Sequence, residues 1–136
     1  MKLNQVTVAM TDYAASVAFY ELLGLRLIVD SPPYYARFEC PETDGSEPAT
    51  FSLSFVDGWQ GCDWPEVFFE IDALDAAVGR LRAAGVEVGD PVDQSWLWRE
   101  AVLRDPAGNR IKLYQPGKNR RFPPWRIDGA AGEAPS

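Results

Sequence analysis

The stretch "EVFFEIDALDAAVGRLRAAGVEV", residues 66–88, decides the fold because the chain has already used its pattern once. Sixty-one positions earlier, residues 5–27 run in the same register without a gap. Val6, Val8 and Met10 meet Val67, Phe69 and Ile71; Thr11 meets Asp72; Ala15, Val17, Gly24, Leu25 and Leu27 meet Ala76, Val78, Gly85, Val86 and Val88. Apolar alternation with a period of two predicts a half-buried strand, here over residues 3–10 and again from Glu66. Thr11 and Asp72 are candidate N-caps, and Gly24 and Gly85 stand where a helix would stop. A repeat of this length is sought before any short motif, since it sets the architecture.

Outward from the repeat the pattern is strands only. Residues 25–29, 34–39 and 49–55 follow the first helix, separated by "DSPP" and "PETDGSEP". Residues 86–88, 99–103 and 110–115 follow the second, the last preceded by the turn "DPAGN". A further match of "TFSLSF" to "RIKLYQ", sixty positions apart, closes the second half like the first. The fold class is therefore α+β: two tandem βαβββ modules with mixed sheets. The halves run over about residues 2–60 and 61–116, an extended tail covers 117–127, and residues 128–136 have the composition of a disordered terminus.

The paired strands put Val6, Val8, Met10, Phe51, Leu53, Phe55, Val67, Phe69, Ile71, Ile111 and Leu113 toward the helices as core. The opposite faces then carry Gln5, Thr7, Ser52, Ser54, Glu66, Phe68, Lys112 and Tyr114. By pattern alone such a face is solvated, and Lys112 would be a charge in water.

The 136 residues suffice for a core without disulfides or structural metal, and 46% are hydrophobic. A net charge of -7 argues against nucleic acid as a partner. No apolar run is long enough to cross a membrane. Cys40 and Cys62 have no metal-ligand spacing, and the N-terminus lacks a signal-peptide layout, so a cytoplasmic protein with reduced thiols is expected. Trp96 and Trp98, alternating in "DQSWLWRE", are candidates for a binding wall or for a subunit interface. Lys118, Arg120, Arg121 and Arg126 make the tail basic, with Phe122 and Trp125 as anchors.

The doubled layout, the helix "SVAFYELLGL" (residues 16–25) and the closing "DPAGNRIKLYQP" (residues 105–116) together resemble the vicinal oxygen chelate superfamily. That superfamily groups glyoxalases, bleomycin-resistance proteins and extradiol dioxygenases, and the resemblance covers about residues 3–116. It implies cupped sheets with the helices outside, a ligand cavity on the inner faces, and a homodimer. It also implies metal ligands at the first and last strands of each half, positions held here by Gln5, Ser52, Glu66 and Lys112.

This chain departs from that pattern. It has no histidine, Ser52 is a poor ligand when neutral, and a lysine stands where a glutamate is common. The departures favour a metal-independent small-molecule binding or resistance protein with an aromatic and polar cavity. Gln5, Thr7, Ser52, Phe68, Tyr114, Trp96 and Trp98 are then the candidate binding residues, with no cofactor. The alternative is a glyoxalase-type lyase or isomerase with Glu66 and Lys112 as catalytic candidates. It would use Gln5 and Glu66 with a divalent metal, or Lys112 in the metal's place. In the metal-free reading, the Lys112 ammonium neutralises Glu66 and donates to Gln5 or Ser52.

Overall fold

The computed structural model describes residues 1–127. The element order is β1 (Gln5–Met10), α1 (Tyr13–Leu23), β2 (Arg26–Ser31), β3 (Tyr35–Glu39) and β4 (Thr50–Phe55). The second half follows with β5 (Cys62–Glu70), α2 (Leu74–Ala83), β6 (Val92–Asp93), β7 (Arg99–Arg104) and β8 (Asn109–Gln115). Two four-stranded mixed sheets result, ordered β1-β4-β3-β2 and β5-β8-β7-β6. The two orders correspond strand for strand, so the repeat read in the sequence is a repeat of topology.

By contacts the described chain divides into two compact units, one of Met1–Pro65 with Arg104–Arg110, the other of Glu66–Leu103 with the described residues from Ile111 onward. The β7–β8 turn therefore belongs to the first unit although its sequence lies in the second repeat. The expected disordered terminus, residues 128–136, lies outside the described residues.

In the first sheet β1 runs parallel to β4, and β3 is antiparallel to both β4 and β2. Helix α1 buries Ser16, Phe19 and Tyr20. The Tyr20 ring lies 4.7 Å from Phe51 and 5.9 Å from Phe38, which fixes the helix on one face. The helix starts one residue later than the repeat suggested: Asp12, not Thr11, is the N-cap, its carboxylate accepting from the Ala15 amide at 3.1 Å. Both residue types cap well, and the register of the first turn chooses between them. Gly24 ends the helix at φ 105°, the left-handed conformation that glycine adopts without a Cβ penalty.

Helix α2 differs more. Ala73 rather than Asp72 is its N-cap and offers no side-chain acceptor. The Leu74 amide is taken instead by Gln115 Oε1 of β8 at 2.9 Å, while Gln115 Nε2 donates to the Asp72 carbonyl. A strand thus satisfies the helix start that local sequence leaves open. The strand expected at 86–88 is also corrected. Val88 makes an isolated bridge to Leu103, and the edge strand is Val92–Asp93, paired to Glu100 and Arg99. Pro91, lacking an N–H, separates the two.

Among the expected core residues, Met10, Phe51, Leu53, Ile111 and Leu113 are buried. Val6, Val8, Val67, Phe69 and Ile71 are half-buried. Phe55 is exposed at the end of its strand, against Tyr34. The opposite face of β8 is not solvated: Lys112 and Tyr114 are each only 8% exposed.

Candidate functional site

Within the first unit, the face of the sheet away from α1 is a row of polar side chains. Strand register sets Thr7 beside Ser52, Arg37 across from Ser52, and Tyr35 across from Ser54. Thr50 Oγ1 donates to Gln5 Oε1, which orients the amide so that its nitrogen reaches Ser52 Oγ at 3.0 Å and Thr7 Oγ1 at 3.2 Å. Ser52 is fully buried and shares a 2.8 Å bond with the Tyr35 hydroxyl. Arg37 Nε donates to the same hydroxyl at 2.9 Å, and its guanidinium lies 5.4 Å from the Tyr35 ring centre. Burial pushes the Tyr35 phenol up, but the bonds from Ser52 and Arg37 and the Arg37 charge outweigh it and bring it below its ordinary value.

Within the second unit, Lys112 Nζ sits 3.2 Å from Glu66 Oε2 and 3.0 Å from Glu100 Oε1, with all three side chains at most 10% exposed. Glu100 Oε2 accepts from the Trp96 indole at 2.7 Å, so one buried carboxylate joins the lysine to a tryptophan. The ammonium also lies 5.1 Å from the Phe68 ring centre. Phe68, Trp98 and Tyr114 form a three-ring cluster, with centroids 5.1 Å apart for Phe68–Tyr114 and Trp98–Tyr114 and 5.8 Å for Phe68–Trp98. The indole of Trp98 is anchored on the Asn119 carbonyl at 3.2 Å. Burial first, and the charge of Glu70 next, push the Tyr114 phenol up.

The structure thus joins Glu66 to Lys112, Gln5 and Thr7 to Ser52, and Phe68 to Trp98 and Tyr114. The donors of Lys112 go to carboxylates of its own unit, and Ser52 is served by Gln5. Trp98 packs in the ring cluster, while Trp96 is 42% exposed and tied to Glu100. Sequence reasoning missed Glu100 and Arg37. Glu100 was legible by parity, since alternation in β7 sets it opposite the buried Ala101 and Leu103. Arg37 likewise sits opposite the core residues Ala36 and Phe38.

The loop between the two tryptophans is strained. The Gln94 amide bonds to the Trp98 carbonyl at 2.8 Å and the Leu97 amide to the Gln94 carbonyl at 2.9 Å, which closes a tight hairpin. Leu97 is held there at φ 70°. A branched residue in the left-handed region costs roughly 1–2 kcal/mol, while glycine adopts it freely but gains chain entropy on unfolding. Leu97→Gly is expected to raise stability by about 0.5–1 kcal/mol in urea denaturation. A loss instead would mean the conformation is not imposed by the hairpin.

Elsewhere in the first unit an open cleft of about 460 Å³ is lined by Gln60, Gly61, Cys62, Asp63, Arg104 and Gly108. It contains none of the predicted binding residues. No group of three or more potential ligands among Cys, Asp and Glu is placed to hold a metal among the described residues. No helix of these residues is long and apolar enough to cross a membrane.

The family model for the glyoxalase/bleomycin resistance protein/dioxygenase superfamily matches residues 2–113. No curated protein matches the sequence. Among solved structures, a lactoylglutathione lyase from Agrobacterium tumefaciens is similar at 19% identity and a TM-score of 0.66, over 83% of this chain and 92% of that one. A bleomycin-binding protein complexed with bleomycin is 18% identical with a TM-score of 0.67, over 85% and 98%. An integron cassette protein from the mobile metagenome of a Halifax Harbour sewage outfall is 22% identical with a TM-score of 0.69, over 83% and 97%. At these identities the structural neighbours speak for the fold, and the extent of the family match makes the chain a member of the glyoxalase/bleomycin resistance protein/dioxygenase superfamily.

Proposed function

We propose that the protein is a metal-independent small-molecule binding protein, with the aromatic cluster Phe68, Trp98 and Tyr114 of the second unit as the surface that holds an amphipathic ligand. The observation that carries this reading is Lys112, buried between Glu66 and Glu100. At two of the four family metal positions, Glu66 and Lys112 are spent on one another, and at the other two Gln5 and Ser52 are hydrogen-bonded together. A divalent ion about 4 Å from an ammonium would meet roughly 8 kcal/mol of repulsion at an effective dielectric near 20. This donor set does not fit a divalent metal. The lyase reading is weaker for the same reason, since Glu66, its candidate base, faces an ammonium rather than an open acceptor position.

The bleomycin-binding neighbour lends the reading a precedent in the same fold. We extend the proposal to a homodimer acting in the cytoplasm, where the free thiols Cys40 and Cys62 would stay reduced. Burial, then the charge of Glu42, pushes the Cys40 thiol up, so it is not poised as a nucleophile. Elemental analysis of the purified protein and a thermal-shift screen of aromatic and heterocyclic compounds test the function together. The expected outcome is substoichiometric metal and ligands that quench tryptophan fluorescence. Trp98→Ala should weaken those ligands about tenfold or more, the loss of one buried stacking partner. Stoichiometric nickel, zinc, manganese or iron would overturn metal independence.

A further inference from the structure

In the first unit, one phenol is surrounded by donors. From this geometry we infer that Tyr35, Arg37 and Ser52 form an oxyanion site, which takes the carboxylate of a small organic acid with the Tyr35 hydroxyl as its central donor. The ligand class follows from where the protons can go. Thr50 fixes the Gln5 amide so that its N–H is given to Ser52 Oγ at 3.0 Å. A serine hydroxyl has one proton, and the Tyr35 oxygen at 2.8 Å can accept it. Arg37 Nε supplies the Tyr35 oxygen with a second donor at 2.9 Å. With both of those bonds accepted, the phenol's own proton must point away from Ser52 and Arg37, where it meets no acceptor among the described residues. The Tyr35–Ser52 bond can run either way, and an anion docking at the phenol selects the direction in which Ser52 donates.

Arg37 adds the charge. Its one hydrogen bond among the described residues leaves through Nε, so the Nη groups keep four N–H donors for a ligand. Such a planar, permanently charged fork suits a carboxylate. The neighbours on this face are Thr50, Ser52 and Ser54 on β4 and Val29 and Ser31 on β2, all uncharged, with Arg26 of β2 paired to Glu39 at the end of the row. Glu39, one pleat along β3, is the acidic group of the row and lies about 7 Å away by strand geometry. Benzoate, rather than a bare ion, is the natural probe, because Tyr35 is half-buried and its ring adds apolar surface beside the hydroxyl.

The site lies in the first unit and depends on neither the aromatic cluster nor Lys112: a failed screen for aromatic ligands would leave it standing, whereas a metal held by Gln5 or Ser52 would overturn it. The full-length protein labelled with carbon-13 at the tyrosine ζ position is titrated with sodium benzoate at constant pH and ionic strength, the Tyr35 signal being assigned by its loss in Tyr35→Phe. The expected result is a saturable shift at Tyr35 and none at Tyr34, which is 68% exposed and serves as the internal control. Arg37→Gln, a change at an exposed side chain, should weaken benzoate at least tenfold, and the neutral analogue benzyl alcohol should bind at least tenfold more weakly than benzoate. Glu39→Gln should tighten it about twofold. A non-saturating response at Tyr35, an unchanged affinity in Arg37→Gln, or equal binding of benzyl alcohol would each overturn the site.

Discussion

Lys112→Met is expected to cost the protein about 3–5 kcal/mol of stability, the penalty for removing one member of a buried ion cluster. The wild-type ammonium lies within 3.2 Å of two carboxylates that have almost no access to water. Methionine fills the stem's volume but leaves Glu66 and Glu100 facing each other, so the loss is electrostatic rather than a cavity. A second substitution separates this from a packing defect. Adding Glu100→Gln to the same variant should recover about 2 kcal/mol, because an amide still accepts the Trp96 N–H. Urea denaturation of the three proteins reads the difference. A Lys112→Met protein as stable as the wild type would show the lysine to be solvated, and the metal-independent reading would lose its support.

Asp105→Ala should be comparably severe, at about 4 kcal/mol. The Asp105 carboxylate is 4% exposed and accepts four hydrogen bonds within the first unit. They come from the Tyr20 hydroxyl at 2.6 Å, the Ala107 and Asn109 amides at 3.0 and 2.9 Å, and Asn109 Nδ2 at 2.8 Å. Each stranded donor costs about 1–3 kcal/mol, partly relieved where water can enter the space left behind. Asn109 also passes the effect on, because it donates to the Ala9 carbonyl and accepts from the Trp59 indole. Tyr20→Phe removes one donor and leaves the carboxylate its other three, so it should cost only about 1–2 kcal/mol. Burial, then Asp105, pushes the Tyr20 phenol far up, so it remains a donor at any pH at which the protein folds. Equal losses for the two variants would show that the carboxylate acts through Tyr20 alone.

The architecture was legible in the sequence because it rests on periodic information: apolar alternation and helix stops recur in register, and both sheets form in the same order. What escaped was non-periodic and long-range. The start of α2 is written in Gln115, forty-one residues beyond the amide it satisfies. The edge strand moved from 86–88 to Val92–Asp93 because the pairing with β7, invisible locally, chose it. Of the candidate site, the Glu66–Lys112 pair was legible through parity and family position. Glu100 shares that parity in β7, but nothing in "WRE" itself gives the acid a reason to be buried until a lysine on another strand pairs it. Residues 34–39 read as a strand, but only its pairing with β4 sets Tyr35 and Arg37 around Ser52.

The β7–β8 turn carries an implication for the chain's ancestry. Arg104–Arg110 is built into the unit that precedes it by some forty residues of sequence, and at Gly61 a Cβ would come within 2.6 Å of the Gly108 carbonyl oxygen. If the chain arose by copying a single module, the copy has since surrendered one of its loops to the original. A polypeptide severed after Pro65 would keep its four strands and its helix yet lack the acid that receives the hidden phenol, so the first half has come to need the second and could not be inherited without it.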